Sequence, residues 1–408
     1  MKKYFSALVL LHLMFSVAIG QTKIIPGAER VDVYVPMLKA KSVAVFANQT
    51  SMVGNTHLVD TLVKRGIKVV KIFSPEHGFR GNADAGEKVG DYTDEQTGIR
   101  VISLFGSKRR PSDDDLKDVD IMIFDIQDVG TRFYTYISSL EEYMDAAFEN
   151  SKPLLILDRP NPNGFYVDGP VLDRKFKSFV GMQPVPIVYG LTIGEYAMMI
   201  SGEKWLTEKA NKKQEYYTHA ENSVDTPFHF LVIKCKNYDH ASKYILPVKP
   251  SPNLPEMQSV YWYPSTCFFE GTLLNEGRGT SKPFQYFGHP SMPKTLFSFI
   301  PHSMEGATNP KLKDTLCYGW NLSGTPEKVL QQVNNRIQLK WIIEAYKLFP
   351  DKTNFFRRSF NRLAGNDVLM QQIIDGKSED EIRKSWEPAL SNYKEIRKKY
   401  LMYKDFVP

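Results

Sequence analysis

Between residues 41 and 157 the chain repeats one pattern: a short apolar run, rich in β-branched residues, that breaks abruptly into polar residues. The runs are Lys41–Ala47, Lys68–Phe73, Val101–Leu104, Asp118–Asp125 and Pro153–Leu157. His57–Lys64, closed by Gly66, and Phe133–Phe148 carry helical spacing between them. A β-α-β order of this kind predicts right-handed crossovers and an α/β fold around a parallel sheet. In such a sheet the carboxyl ends of the strands share one edge, where ligands bind. The polar residues just past those ends are Asn48, Glu76 with His77, Asp125 with Asp128, Arg132, and Asp158 with Asn163. Any strand needs polar residues at its exit, but exits this dense in Asp, Asn, Arg and Glu favour a shared cleft.

The richest exit is Phe73-Ser-Pro-Glu-His-Gly-Phe-Arg-Gly81. Pro75 stops the strand because it donates no ladder hydrogen bond and restricts Ser74 before it. Glu76, His77 and Arg80 then fall within five positions, with glycines at 78 and 81 to turn the backbone. A turn bearing solvated charges explains the same residues. Residues 82–100 read as a long loop able to cover a pocket.

At 408 residues the chain exceeds one ordinary core, so two domains are expected. Residues 1–20 read as a signal peptide: Lys2 and Lys3, a mostly apolar Tyr4–Val17, then Ala18-Ile-Gly20. The apolar part is too short for a confident membrane span, and Gln21 offers no lipid attachment. The expectation is an exported, periplasmic or secreted protein without stable membrane insertion. A net charge of +6, spread over a large chain, argues for no nucleic-acid surface. Cys235, Cys267 and Cys317 are too scattered for a metal knuckle or disulfide framework and read as buried thiols.

Pro247–Pro255, with four prolines in nine residues, marks a boundary between domains over 21–246 and 247–408. Beyond it lies a second chemical cluster, Phe268–Thr280, with Glu270, Glu276 and Arg278 among glycines that permit close approach of a ligand. An exposed loop with a salt bridge is the plainer account. Thr192-Ile-Gly-Glu195 and Ser378-Glu-Asp-Glu381 are capping boxes, which gives Glu195 a structural role. Pro326–Leu348 has helical periodicity, with proline at its start where a missing amide costs least, and Tyr393–Tyr400 is rich in Lys and Arg, which a solvated last helix explains. Phosphate-binding, dinucleotide, zinc-protease and serine-hydrolase motifs are missing from the sequence.

Ser74-Pro-Glu-His-Gly78, Asp125-Ile-Gln-Asp-Val-Gly-Thr-Arg132, Leu157-Asp-Arg-Pro-Asn-Pro-Asn163 and Asn275-Glu-Gly-Arg-Gly-Thr280 stand in the order found in exo-β-N-acetylmuramidases, a family formerly catalogued as a domain of unknown function. The resemblance runs from about Lys41 to Tyr403 and includes Phe360–Gly365. It implies a Rossmann-like N-terminal domain, a smaller mixed α/β C-terminal domain, and a cleft between them. It also implies release of N-acetylmuramic acid from the non-reducing end of a muropeptide or disaccharide derived from peptidoglycan. Glycoside hydrolysis ordinarily uses two carboxyl groups and needs no metal or cofactor. Glu76 is the expected general acid, with His77 beside it, and Glu276 the second carboxylate, with Asp125 and Asp128 in reserve. The 2-acetamido group of the sugar is an alternative attacking group. Arg80, Arg132 and Arg278 are candidates for the carboxylate of the lactyl ether, and Asn48 and Asn163 for other polar contacts. A non-catalytic muropeptide receptor would use the same arginines without needing a protonated acid.

Overall fold

The computed structural model describes residues 23–76, 78–81, 90–220 and 230–406. The expected signal peptide, His77 and the first part of the loop after Gly81 lie outside them. Seven strands form one sheet: β1 (Ser42–Ala47), β2 (Lys68–Ser74), β3 (Tyr92–Thr93), β4 (Arg100–Ser103), β5 (Ile121–Asp125), β6 (Leu154–Leu157) and β7 (Phe230–Ile233). Their order is β3-β4-β2-β1-β5-β6-β7, and every neighbouring pair is parallel except β3 with β4. The parallel α/β sheet expected from the sequence is therefore present, with one antiparallel edge.

The period-two alternation of side chains divides the strands between two apolar layers. Val43, Val45, Ile123 and Leu155 pack with Leu58 and Leu62 of α1 (Leu58–Lys64). Ala44, Phe46, Phe124 and Ile156 face Leu140 and Met144 of α2 (Tyr136–Glu149). Each fully buried Leu or Phe of this kind contributes about 1.5–3 kcal/mol. The register pairs Ala47 with Asp125, Phe46 with Phe73 and Ser74 with Ser103, which brings the strand exits to a common edge.

Thr192 and Glu195 form the expected capping box at the start of α3 (Ile193–Gly202). Glu195 is fully buried, and its Oε1 accepts from the Met402 amide at 2.8 Å and lies 3.1 Å from His240 Nε2. The C-terminal part contains α4 (Met257–Thr266) and a three-stranded antiparallel sheet of β8 (Tyr286–His289), β9 (Phe297–Phe299) and β10 (Cys317–Asn321). Its core joins Trp262, Phe268, Phe287 and Trp320 to Phe133, Phe165 and Val188 from the first half of the chain. The three cysteines are buried free thiols.

Two expectations give way here. Pro326–Leu348 is not one helix but two, α5 (Pro326–Val333) and α6 (Lys340–Leu348). Asn334 and Asn335 sit in the left-handed region, with φ of +48° and +52°, and end α5. Beyond α7 (Val368–Ile374), the last helix, α8 (Glu379–Lys398), has the expected capping box at Ser378 but is not solvated all round. Trp386, Leu390, Tyr393 and Arg397 recur at helical spacing and are buried. Tyr393 donates to the Tyr189 carbonyl at 2.6 Å, and Arg397 donates to the Gly190 carbonyl at 2.8 Å.

Candidate active site

At the exit of β2, Pro75 ends the ladder and the Gly78 amide donates back to the Pro75 carbonyl at 3.1 Å, with Gly78 at φ +75°. This tight turn holds Glu76 half-buried on the wall of a hollow of about 180 Å³. Tyr134, Tyr136, Tyr263, Glu270 and Arg278 line the same hollow.

The aromatic walls are braced from behind. Tyr134 and Tyr136 meet edge to face at 4.7 Å, and Tyr263 meets Phe284 at 4.8 Å. Asn48 donates to the Tyr136 hydroxyl at 2.9 Å, while its carbonyl oxygen accepts from the Thr50 amide and hydroxyl at 2.9 and 2.6 Å. Tyr134 donates to the Pro250 carbonyl at 2.8 Å. Burial pushes both hydroxyls far above the ordinary tyrosine range, and the Glu76 carboxylate adds to the shift at Tyr136. They therefore serve as neutral hydrogen-bonding groups. Asn48 itself is fully buried and acts on the hollow through Tyr136.

Glu270 comes from a short 3-10 turn, Cys267–Gly271, that follows α4. Arg278 donates to Glu270 at 2.8 Å, and its Nε lies 3.2 Å from Glu276. Lys311 approaches the other Glu276 oxygen at 2.7 Å and donates to the carbonyls of Phe269, Thr272 and Leu274. Buried against these two cations, Glu276 lines a second hollow that also touches Glu270 and Arg278. Glu270 is the acidic residue that shares the hollow with Glu76. The 275–280 loop braces itself: Asn275 donates to the Arg278 and Lys311 carbonyls and accepts from the Gly277 amide. Its glycines, at φ +83° and +81°, make room for other backbone rather than for a ligand. A side chain at Gly277 would meet the Lys282 carbonyl, and one at Gly279 the His302 carbonyl.

Other expected ligand groups are committed elsewhere. Arg80 forms paired bonds to both Asp60 and Asp94, at 2.9–3.3 Å. Arg132 is fully buried and donates to the carbonyls of Pro170, Val185, Leu363 and Ala364 at 2.8–2.9 Å. Asp125 is clamped by Arg159 at 2.6 and 2.8 Å. Asn163 donates to the Val129 and Val260 carbonyls, tying the two halves together. Asp128 accepts from the Tyr189 hydroxyl and the Gly130 amide, and burial raises its pKa to about 7. Its Oδ1 has no hydrogen-bond partner among the described residues. His77 lies outside the described residues.

Tyr134, Tyr136, Tyr263 and Lys311 did not stand out in the sequence. Tyr134 and Tyr136 follow Arg132 where the exit loop runs into α2, which is a readable signal, whereas nothing in its spacing marks Lys311. Among the described residues, no group of His, Cys, Asp and Glu is gathered closely enough to hold a metal ion, and no helix is long and apolar enough to cross a membrane.

Residues 43–258 match the N-terminal family model of the exo-beta-N-acetylmuramidase NamZ, and residues 261–403 match its C-terminal model. The chain is 38% identical over 391 residues to the peptidoglycan beta-N-acetylmuramidase NamZ of Bacillus subtilis (strain 168), covering 91% of this chain and 89% of that one. Among solved structures it is similar to a DUF1343 family protein (BF0379) of Bacteroides fragilis, with a TM-score of 0.83 and 45% identity over 94% of this chain and 100% of that chain. A second DUF1343 protein of the same organism (BF0371) gives a TM-score of 0.72 and 25% identity over 93% and 99%.

Proposed function

The chain belongs to the family of the exo-beta-N-acetylmuramidase NamZ, and from that premise we propose that it is a glycoside hydrolase that removes N-acetylmuramic acid from the non-reducing end of peptidoglycan fragments. The observation that carries the reading is the single hollow lined by Glu76, Glu270 and three tyrosines. Its volume of about 180 Å³ falls below the roughly 300–1,000 Å³ of clefts that take larger ligands. That size suits one terminal ring and supports exo action. The tyrosine rings supply apolar faces for the sugar and hydroxyls for its polar edges.

In this reading Glu76 gives its proton to the leaving oxygen as the bond from the anomeric carbon breaks. Water supplies the hydroxyl that ends on that carbon. Glu270 is the second carboxyl group, and Arg278 donates to it at 2.8 Å and fixes its position beside the reacting centre. Glu276, expected in that role, instead holds Arg278 from behind and acts as a positioning residue. Lys2, Lys3 and the apolar segment after them support export, which would place the enzyme where its substrate is made accessible.

The test is hydrolysis of a chromogenic β-N-acetylmuramide. Glu76→Gln and Glu270→Gln are each expected to lower kcat by about 10²–10⁴-fold with little change in binding. Glu276→Gln should lose less. Equal release by wild type and Glu76→Gln would remove Glu76 from the mechanism. Tight binding by wild type without any release would favour a muropeptide receptor instead.

A further inference from the structure

The lactyl ether that distinguishes N-acetylmuramic acid from N-acetylglucosamine ends in a carboxylate, so an enzyme selecting it needs a cation not already neutralised. Arg80 and Arg132 cannot supply one, since Arg80 is paired with two aspartates and Arg132 is fully buried with both terminal nitrogens on carbonyls. Arg278 is shared between two glutamates, and Lys311 is held by Glu276 and three carbonyls.

The second hollow, of about 380 Å³, adjoins the first through Glu270 and Arg278. Its charged walls are Glu270, Glu276, Arg278, Lys311 and Arg357, three cations against two carboxylates. Arg357 is the cation left over. Its side chain is exposed and has no hydrogen-bond or ion-pair partner among the described residues. Its root is fixed, because its amide donates to the Gly271 carbonyl at 2.8 Å, one residue from Glu270. The planar guanidinium on that anchored root can match a carboxylate by two parallel hydrogen bonds.

We propose that the second hollow is the subsite for the lactyl carboxylate, with Arg357 as the residue that recognises it. This rests on the muramic acid substrate proposed above. Arg357 then sets specificity without taking part in bond breaking.

The test compares wild type with Arg357→Ala on matched chromogenic glycosides. On the N-acetylmuramide, kcat/KM is expected to fall by about 10- to 100-fold, the range of a charge-assisted hydrogen bond. Activity on the N-acetylglucosaminide, which has no lactyl group, should not change. Wild type acting on the lactyl methyl ester should drop to the level of the variant on the acid, and Arg357→Lys should recover part of the loss. Equal losses on both sugars, or an ester cleaved as fast as the acid, would overturn the assignment. If wild type cleaves neither glycoside, the proposed hydrolysis fails, but calorimetry with free N-acetylmuramic acid still decides this point. Binding weakened at least about tenfold in Arg357→Ala supports the subsite, and equal binding refutes it.

Discussion

Arg132 spends its two terminal nitrogens on four carbonyls from opposite halves of the chain: Pro170 and Val185 on one side, Leu363 and Ala364 on the other. Fully buried with no carboxylate beside it, its pKa is lowered by desolvation, yet it remains the donor for all four acceptors. Arg132→Met would leave those carbonyls unmet in a dry interior, at about 1–3 kcal/mol for each that finds no new donor. The expected result is a loss of at least about 3 kcal/mol in denaturant unfolding. Michaelis constants measured on the folded fraction should hardly change. A variant of full stability with a raised KM would restore Arg132 to the ligand. Arg80, Arg132, Arg278 and Arg357 are alike in sequence, each beside a turn or glycine, and only tertiary contacts separate the three that are engaged from the one that is not. Glu76 is the opposite case. A proline, an acid and a glycine directly after an apolar strand mark a sharp turn at the strand's exit, and Glu76 lines the hollow from that turn.

Short elements show where local pattern decides and where it fails. Of the five parallel strands from Ser42 to Leu157, β5 and β6 are buried along their whole length and β1 nearly so, which made them legible as apolar runs. Both β2 and β4 were legible too, although Lys68 and Arg100 are exposed and Lys71 is half-buried. Strands β8 to β10 were not: Tyr286-Phe-Gly-His289 and Cys317-Tyr-Gly-Trp-Asn321 mix glycine and polar residues without alternation. The break between α5 and α6 was hidden for a related reason, since two asparagines do not disturb an amphipathic period as a proline would. Their positive φ predicts the response to substitution. Asn334→Val should cost about 1–2 kcal/mol, because a β-branched side chain resists the left-handed region, while Asn334→Gly should be tolerated. Ser378→Ala, removing the cap of α8, should cost about 1 kcal/mol. Thermal melts of the three variants check the order. Glu270 and the tyrosines of the hollow belong to this scale too, because a 3-10 turn and an exit loop must meet before they form a wall.

At the scale of the molecule, four carboxyl groups among the described residues are pushed up by burial: Asp145 to about 6, Asp128 and Asp158 to about 7, and Glu141 to about 8. Unfolded, each titrates near 4. Between about pH 4 and 8 the folded chain therefore holds protons that the unfolded chain has released, and stability falls as pH rises through that window. Asp94 and Asp405, lowered on balance by their arginine partners despite burial, act the other way and lose their contribution below about pH 4. The melting temperature is expected to peak in mildly acidic buffer and decline toward pH 8. Asp128→Asn should flatten part of that decline, and a melting temperature that climbs steadily from pH 5 to 8 would refute the assignment of these protonated acids.

The bonds from Arg132 to the Leu363 and Ala364 carbonyls, from Arg383 to Asp168, and from Arg397 to the Gly190 carbonyl run between early and late parts of the chain. Hinged jaws need an interface with few such rivets. Pinned as they are, the two sides cannot spread to swallow the middle of a glycan strand. On the proposed function they would form a gauge of preset bore, admitting a strand by the fit of its last ring. Trimming one unit at a time would then follow from how the frame is bolted together as much as from the acids inside it.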